Sequence, residues 1–351
     1  MMKIHNARHL FGLIALVTFS ALVSQSQAPQ SRAGNPADAR TQEVTLNAAT
    51  RHPIIDAAIK ILNQYYTDAD VAQKMADALL AHEKNGDDDA ATNGEFLADL
   101  LTRQMKNVSH DRHLAMEYSR NKIPEGPPGP PSEIIAQFRE DMKKSNCTFE
   151  IVRILPHNIG YLKLNSFPDP SICQASAAAA MAKLNNVDAI IFDLRDNRGG
   201  DPKMVALMAT YLFDHPTHLN DIYNRAENST QQSWTREPIP GNKLADKLAY
   251  VLTSASTFSG AEEFCYDLKM LKRATLVGET TRGGAHMTDA HRIDDHFRIF
   301  VPEAKPINPI SKTDWEGTGV EPDVKVKAAD ALEMARRLAE SKLHKSQAVS
   351  K

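Results

Sequence analysis

"LAYVLTSASTFSGAEEFCYDLKM", residues 248–270, changes its hydrophobic period in mid-course. The apolar run 248–253 is too short and too rich in β-branched and aromatic residues for a helix, and it predicts a buried strand. After Ser259, the residues Ala261, Phe264, Leu268 and Leu271 fall on one helical stripe. Strand, short turn and helix therefore follow one another, with Ser259 at the helix start. A serine there has two readings: an N-cap, or a nucleophile lying beside unpaired backbone N–H groups and the positive end of the helix dipole. The stretch alone leaves both open.

The same alternation extends outward. "FEIVRIL", "NIGYLKLNSF", "DAIIFDLR" and "ATLVGET" read as further short strands, and helical patterns at 172–185, 201–214 and 260–272 separate several of them. Strands alternating with helices predict an α/β core with parallel pairing. "AHRIDDHFRIFV" predicts a closing hairpin around Asp294 and Asp295.

Upstream the period is helical throughout. Ile55, Ala58, Ile59, Leu62 and Tyr66 share a stripe, Asp68 and Asn93 are N-cap candidates, and Gly86 is a candidate helix stop. "NKIPEGPPGPPSE", with five prolines and two glycines, excludes helix interior and central strand and reads as a linker. At the start, Lys3 and Arg8 precede the apolar run "LFGLIALVTFSALV" and the small residues Ser26 and Ala28, the pattern of a secretory signal peptide. The predicted organisation is a signal peptide at 1–28, a disordered leader at 29–46 and a helical domain at 47–119. A linker at 120–135, a core at 136–340 and a polar tail at 341–351 follow. The expected location is exported, periplasmic or secreted, without stable membrane insertion after cleavage.

Composition narrows the function classes. The chain has 351 residues, 42% of them hydrophobic, with 41 Lys and Arg against 44 Asp and Glu. Without residues 1–28 the balance is 39 basic to 44 acidic, a net of −5, which argues against a nucleic-acid partner. Cys147, Cys173 and Cys265 are too few for a disulfide scaffold, and their odd number leaves one unpaired within the chain. Pairing of Cys147 with Cys173 stays open.

Two more segments bear side chains suited to catalysis. "DLRDNRGGD", 193–201, ends a strand and lets Gly199 and Gly200 turn sharply before a helix, which exposes N–H groups or simply reverses the chain. "VSHDRHLAMEY", 108–118, holds His110 and His113 where the helical region ends. With Asp111 between them these are metal-ligand types, as are His286, His291 and His296 among Asp289, Asp294 and Asp295. Neither spacing matches a strong zinc signature, so no metal and no cofactor is predicted. G-x-S-x-G, H-E-x-x-H and G-x-G-x-x-G are all missing.

Taken in order, "NIGYLKLNSF", "IIFDLRDNRGGD", "LTSASTFSGAEEF", "ATLVGETTRGGAH" and "WEGTGVEPDVKV" carry a resemblance. Residues 143–330 closely resemble the S41 family of serine peptidases, the tail-specific protease and tricorn-core group. The similarity is to its branch without a PDZ domain, which includes the interphotoreceptor retinoid-binding modules. Residues 50–119 resemble that branch's N-terminal domain. The resemblance implies a crotonase or ClpP-like α/β core and a peptidase acting on peptide or protein substrates. It implies Ser259 as nucleophile and an oxyanion hole from Gly260 with the Gly199-Gly200 turn.

Branches with a Ser-Lys dyad place lysine 25 residues after the serine, where this chain has Gly284. The resemblance therefore points to a histidine base, His113, with Glu316 as its carboxylate and His110 as second candidate. In the tricorn-like pattern a serine precedes the histidine and links it to the glutamate, whereas Arg112 stands there in this chain. About 30 residues separate His113 from the first core strand, too few for an inserted domain of ordinary size. The alternative function is a non-catalytic binding module for an apolar ligand, a retinoid or lipid, on the same fold.

Overall fold

The structure, a computed structural model, describes residues 46–126 and 132–349. The signal-peptide and leader readings lie outside the described residues. Three helices come first: α1 (Ala48–Tyr65), α2 (Ala69–Asn85) and α3 (Gly94–Ser109). Their ends follow local chemistry. Asp68 Oδ1 accepts from the N–H groups of Asp70 and Val71, and Asn93 Oδ1 from that of Phe96. Gly86 closes α2 in the left-handed conformation at φ 76°. Strand β1 (Ala115–Tyr118) follows.

After the proline-rich segment, α4 (Ser132–Lys144), β2 (Phe149–Leu155), β3 (Ile159–Leu164), α5 (Pro170–Lys183), β4 (Ala189–Asp193) and α6 (Pro202–Thr210) build the core. Helix α4 begins inside the stretch read as linker, because Pro131 is followed by residues free of helix breakers. Next come β5 (His218–Asn224), β6 (Ser229–Trp234), β7 (Leu248–Thr253), α7 (Gly260–Met270), β8 (Thr275–Gly278), β9 (Met287–Arg292), β10 (Phe297–Ile307) and β11 (Val324–Lys325). The last element, α8 (Ala331–Val349), extends through most of the segment read as a tail.

Six strands form one sheet in the order β11-β8-β7-β4-β3-β2, parallel except for the β2/β3 pair. Both faces are covered. Ile190 and Phe192 of β4 pack toward α5, α6 and α7, while Ala189 and Ile191 pack on the other face toward α8. This two-sided burial is why β4 reads as an unbroken apolar run rather than an alternating one. Ala331, Ala335 and Ala339 recur every four residues on α8, and their small side chains let it lie close to the sheet.

The second sheet is antiparallel, β1-β10-β5-β6 with β9 on β10. Its strand β10 sends Phe297, Ile299 and Val301 into the core of the helical region, among Leu62, Met75, Leu97 and Met105. Thus the late hairpin completes the N-terminal layer, and β1, paired along β10, is held against it. That contact delivers the segment between α3 and β1 to the parallel sheet.

Cys147 and Cys173 form a disulfide, and Cys265 is buried and free. The bridge ties the turn before β2 to α5 across a sequence separation of 26 residues. A loop of that size corresponds to about 3 kcal/mol of lost unfolded-state entropy. Replacing both cysteines by serine is expected to lower unfolding stability by about that amount in denaturant titrations.

Candidate active site

The site begins at the end of β4. The Asp193 carboxylate is buried and accepts from Tyr161 Oη at 2.6 Å and from Arg195 Nε and Nη2 at 2.9 and 2.6 Å. Asn197 then holds the following turn: its Nδ2 donates to Leu164 O at 3.0 Å, and its Oδ1 accepts the Gly199 N–H at 2.8 Å. Gly199 O accepts from the Phe167 N–H and Phe167 O from the Asp201 N–H, so Gly200 is flanked by two backbone bonds and its own N–H faces the other way. Gly199 and Gly200 have φ of 101° and 142°. A Cβ on Gly199 would stand 2.7 Å from Ser259 Cβ, and one on Gly200 would stand 2.0 Å from Phe167 O. Only glycine permits the turn to lie this close to Ser259.

Ser259 sits between β7 and α7 at φ 55°, ψ −125°, a conformation that costs an ordinary residue about 1–3 kcal/mol. Its surroundings enforce it. The Phe258 N–H donates to Asn197 O at 3.1 Å, Thr257 Oγ1 donates to Leu194 O at 2.9 Å, and the Ser259 N–H donates to Glu262 Oε2 at 2.9 Å. Gly260 opens the helix against the Gly200 backbone, 3.2 Å separating a Cβ built on Gly260 from Gly200 N. Among the described residues the N–H groups of Gly200 and Gly260 have no protein acceptor, whereas that of Gly199 is taken by Asn197. The free donors beside Ser259 are therefore those of Gly200 and Gly260.

Glu262 reaches further. Its Oε1 accepts from Thr281 Oγ1 at 2.5 Å and the Gly283 N–H at 2.6 Å, and its Oε2 also accepts the Gly284 N–H at 2.9 Å. Burial pushes this carboxyl up, opposed by the four donors that favour its ionised form. One side chain thus fixes the start of α7 and the 281–284 loop together. Trp315 adds a hydrogen bond from Nε1 to Gly284 O at 2.9 Å.

Gly284 occupies the position where a dyad lysine would stand. A Cβ there would lie 2.2 Å from the Phe258 ring and 2.8 Å from His113 Cε1. The space is already filled: the His113 ring stacks on Phe258 with centroids 4.6 Å apart. Both His113 ring nitrogens are buried without a hydrogen-bond partner, and burial pushes the imidazole down to about 4. His113 hydrogen-bonds neither Ser259 nor Glu316. His110, the second candidate, is exposed and ends α3 in the left-handed conformation at φ 56°.

Glu316 lies on the far side. Its Oε2 accepts the N–H groups of Ala285 and His286 at 2.6 and 3.2 Å, and its Oε1 is buried without a partner. Burial first, and then the nearby Asp111 charge, push it up to about 6. Between Glu316 and His113 stand two residues that the sequence did not assign to the site. Asp111 Oδ2 accepts from His286 Nδ1 at 2.6 Å and from Tyr66 Oη at 3.2 Å, while Asp111 Oδ1 accepts the His113 N–H at 2.9 Å. Asp111 and His286 are 175 residues apart, and no sequence spacing links them. Ligand atoms of Asp111, His286 and Glu316 lie within 4.8 Å of one another, a donor set that a divalent cation can use. His291 and His296 turn elsewhere, to Glu303 and to Ser119 O, as the alternation of a hairpin requires.

A serine at a strained strand-to-helix turn, two free N–H groups and a neighbouring imidazole are the parts of a serine-nucleophile site. The model of peptidase family S41 matches residues 158–326, and that of the N-terminal domain of Peptidase_S41 in eukaryotic IRBP matches 39–154. The chain belongs to peptidase family S41. It is similar to carboxyl-terminal-processing peptidase 2, chloroplastic, of Arabidopsis thaliana, at 26% identity over 59% of this chain and 42% of that protein. It is also similar to the carboxyl-terminal-processing protease of Synechocystis sp., at 28% identity over 54% of this chain and 46% of that one. The chain thus spans less than half the length of these relatives.

Solved structures share the fold. One from Parabacteroides merdae has a TM-score of 0.56 at 18% identity, covering 82% of this chain and 96% of its own. The tricorn protease has a TM-score of 0.52 at 14% identity, covering 84% and 37%. The α/β core with an N-terminal helical region is of the S41 and ClpP-crotonase kind.

The packing of Gly284 yields a direct test. Gly284→Ala is expected to push His113 and Phe258 out of place and to slow covalent labelling of Ser259 by at least about 100-fold, the scale of losing a positioned base, while the circular dichroism spectrum stays native. Labelling at the wild-type rate would show that His113 is not needed where it stands.

Proposed function

We propose that this chain is an exported serine peptidase in which Ser259 attacks the scissile carbonyl, His113 is the general base, and the N–H groups of Gly200 and Gly260 hold the oxyanion. The observation that carries the reading is the juxtaposition at Ser259: a strained nucleophile position, two unpaired N–H donors beside it, and a buried imidazole on the adjoining Phe258. Export is supported by the Cys147–Cys173 disulfide, since such bonds persist in oxidising compartments. No helix among the described residues is long and apolar enough to cross a membrane.

The chemistry follows from these positions. As the Ser259 Oγ–carbonyl bond forms, its proton passes to His113, and the carbonyl electron pair moves onto oxygen facing the two N–H donors. Collapse of that intermediate breaks the C–N bond, and His113 returns the proton to the leaving amine. Water then hydrolyses the acyl-enzyme with the same imidazole as base. Gly199, whose N–H is engaged by Asn197, shapes the turn and leaves donation to Gly200.

Substrates are proposed to be peptides or unfolded protein segments. Among the described residues the chain between β1 and β2 holds α4 and one short 3-10 turn and no strand, so recognition of a peptide tail by an inserted sheet domain is not part of this reading. A binding module on the same fold would have no use for the strained Ser259 and its open N–H pair.

A fluorophosphonate probe applied to the folded chain tests the assignment. Wild type is expected to label, Ser259→Ala to give no adduct, and His113→Ala to label at least about 1,000-fold more slowly while His110→Ala labels normally. An unlabelled wild type, or undiminished labelling of Ser259→Ala, overturns the proposal.

A further inference from the structure

The base proposed above has a weakness that the structure exposes. His113 is buried, and the positive charges of Lys106 and Arg282, with that of His286, oppose a second positive charge there. When it takes the Ser259 proton, its imidazolium needs a carboxylate. The residue at the family position for that carboxylate, Glu316, forms neither a hydrogen bond nor an ion pair with it. Among the described residues one carboxylate oxygen lies within 4 Å of a His113 ring nitrogen: Asp111 Oδ1, 3.9 Å from Nδ1.

Asp111 is built for the task. Three donors hold it, each from a different part of the chain: the His113 N–H in its own turn, Tyr66 Oη at the end of α1, and His286 Nδ1 at the start of β9. Burial alone would raise its carboxyl, but the His286 hydrogen bond and charge outweigh this and keep it below the usual range. The His286 backbone is in turn held by Glu316. Glu316 Oε2 accepts the backbone N–H of Ala285 and of His286, and lies 3.8 Å from His286 Nδ1. Arg112, where the tricorn-like pattern has a linking serine, is exposed and leaves that role empty.

We infer that Asp111 is the positioning carboxylate of His113, and that Glu316 acts one step removed, by holding His286 against Asp111. This rests on the serine peptidase reading. In the ground state His113 Nδ1 carries the proton and faces Asp111 Oδ1, leaving Nε2 to accept the proton of Ser259. Asp111 receives no proton. It orients the ring and balances the charge, and after collapse of the intermediate the Nε2 proton leaves with the amine. The order Glu316, His286, Asp111, His113, Ser259 replaces a glutamate coupled to histidine through serine.

A purely structural Asp111 would close the His113 turn and anchor His286 and Tyr66; asparagine keeps the turn acceptor and offers an amide N–H to an unprotonated His286 Nδ1 and to Tyr66 Oη. Asp111→Asn therefore separates the two roles. In kinetics with an unstructured peptide, Asp111→Asn is expected to lower kcat by about 1,000-fold to 10,000-fold, with KM changed by less than about threefold, since an Asp-to-Asn change at such a position removes charge and leaves geometry. His286→Gln is expected to lower kcat by about 10-fold to 100-fold, and the double variant to be no slower than Asp111→Asn alone, as coupled residues behave.

Asp111→Asn within about threefold of wild type in kcat overturns the inference. So does Glu316→Gln with a larger loss than Asp111→Asn. If Asp111→Asn does not fold, Tyr66→Phe and His286→Gln decide: both must lower kcat with a native melting transition, and unchanged kcat in both overturns it. A wild type that neither cleaves peptide nor labels defeats the peptidase reading instead, a different failure from an active wild type whose Asp111→Asn variant is equally active.

Discussion

Four hydrogen bonds converge on the Glu262 carboxylate, and the site depends on them. They join the Ser259 N–H at the start of α7 to Thr281, Gly283 and Gly284 on the loop after β8. A buried carboxyl is costly unless its lone pairs are satisfied, and here the satisfaction comes from two chain segments that must both be in register. The unfavourable φ and ψ of Ser259 persist because this carboxylate and Asn197 hold the chain on either side of it. The constraint is local in sequence on one side and long-range on the other.

From that fixed loop the rest of the constellation follows. Gly284 is held 2.9 Å from Glu262, and its missing side chain leaves room for the His113 ring stacked on Phe258. A lysine at this position and a histidine at 113 would contend for the same volume. In this chain a side chain at position 284 and the His113 ring where it stands exclude one another. The N-terminal layer delivers His113 because β1 pairs with β10, whose apolar face completes the helical core.

Much of this was legible in the sequence where the signal was local. The period change at Ser259 marked strand, turn and helix, the apolar run of β4 marked a strand, and Asp68, Asn93 and Gly86 marked helix ends through their own side chains or lack of one. Gly199 and Gly200 stood out as a turn, although which N–H stays free depends on Asn197 and Phe167, which only the folded backbone brings together. The β5–β6 hairpin was missed because "HLNDIYN" and "STQQSW" are largely polar with little apolar alternation, the second forming the sheet edge. Asp111 and His286 escaped as partners because their contact spans two layers of the fold, and Glu316, matched by resemblance to the family's carboxylate position, forms no hydrogen bond with His113. Chemistry carried by one segment can be read from composition and spacing; chemistry assembled from three cannot.

The central claim is that Ser259, the Gly200 and Gly260 N–H pair and His113 form one reacting unit. A crystal structure of the wild-type chain after reaction with diisopropyl fluorophosphate tests it most directly. Phosphorus is expected bonded to Ser259 Oγ, with a phosphoryl oxygen within about 3.1 Å of both glycine nitrogens and the His113 ring facing the adduct with Nδ1 toward Asp111. An adduct on another serine, or a phosphoryl oxygen turned away from both glycines with the His113 ring turned away from the adduct, would contradict it.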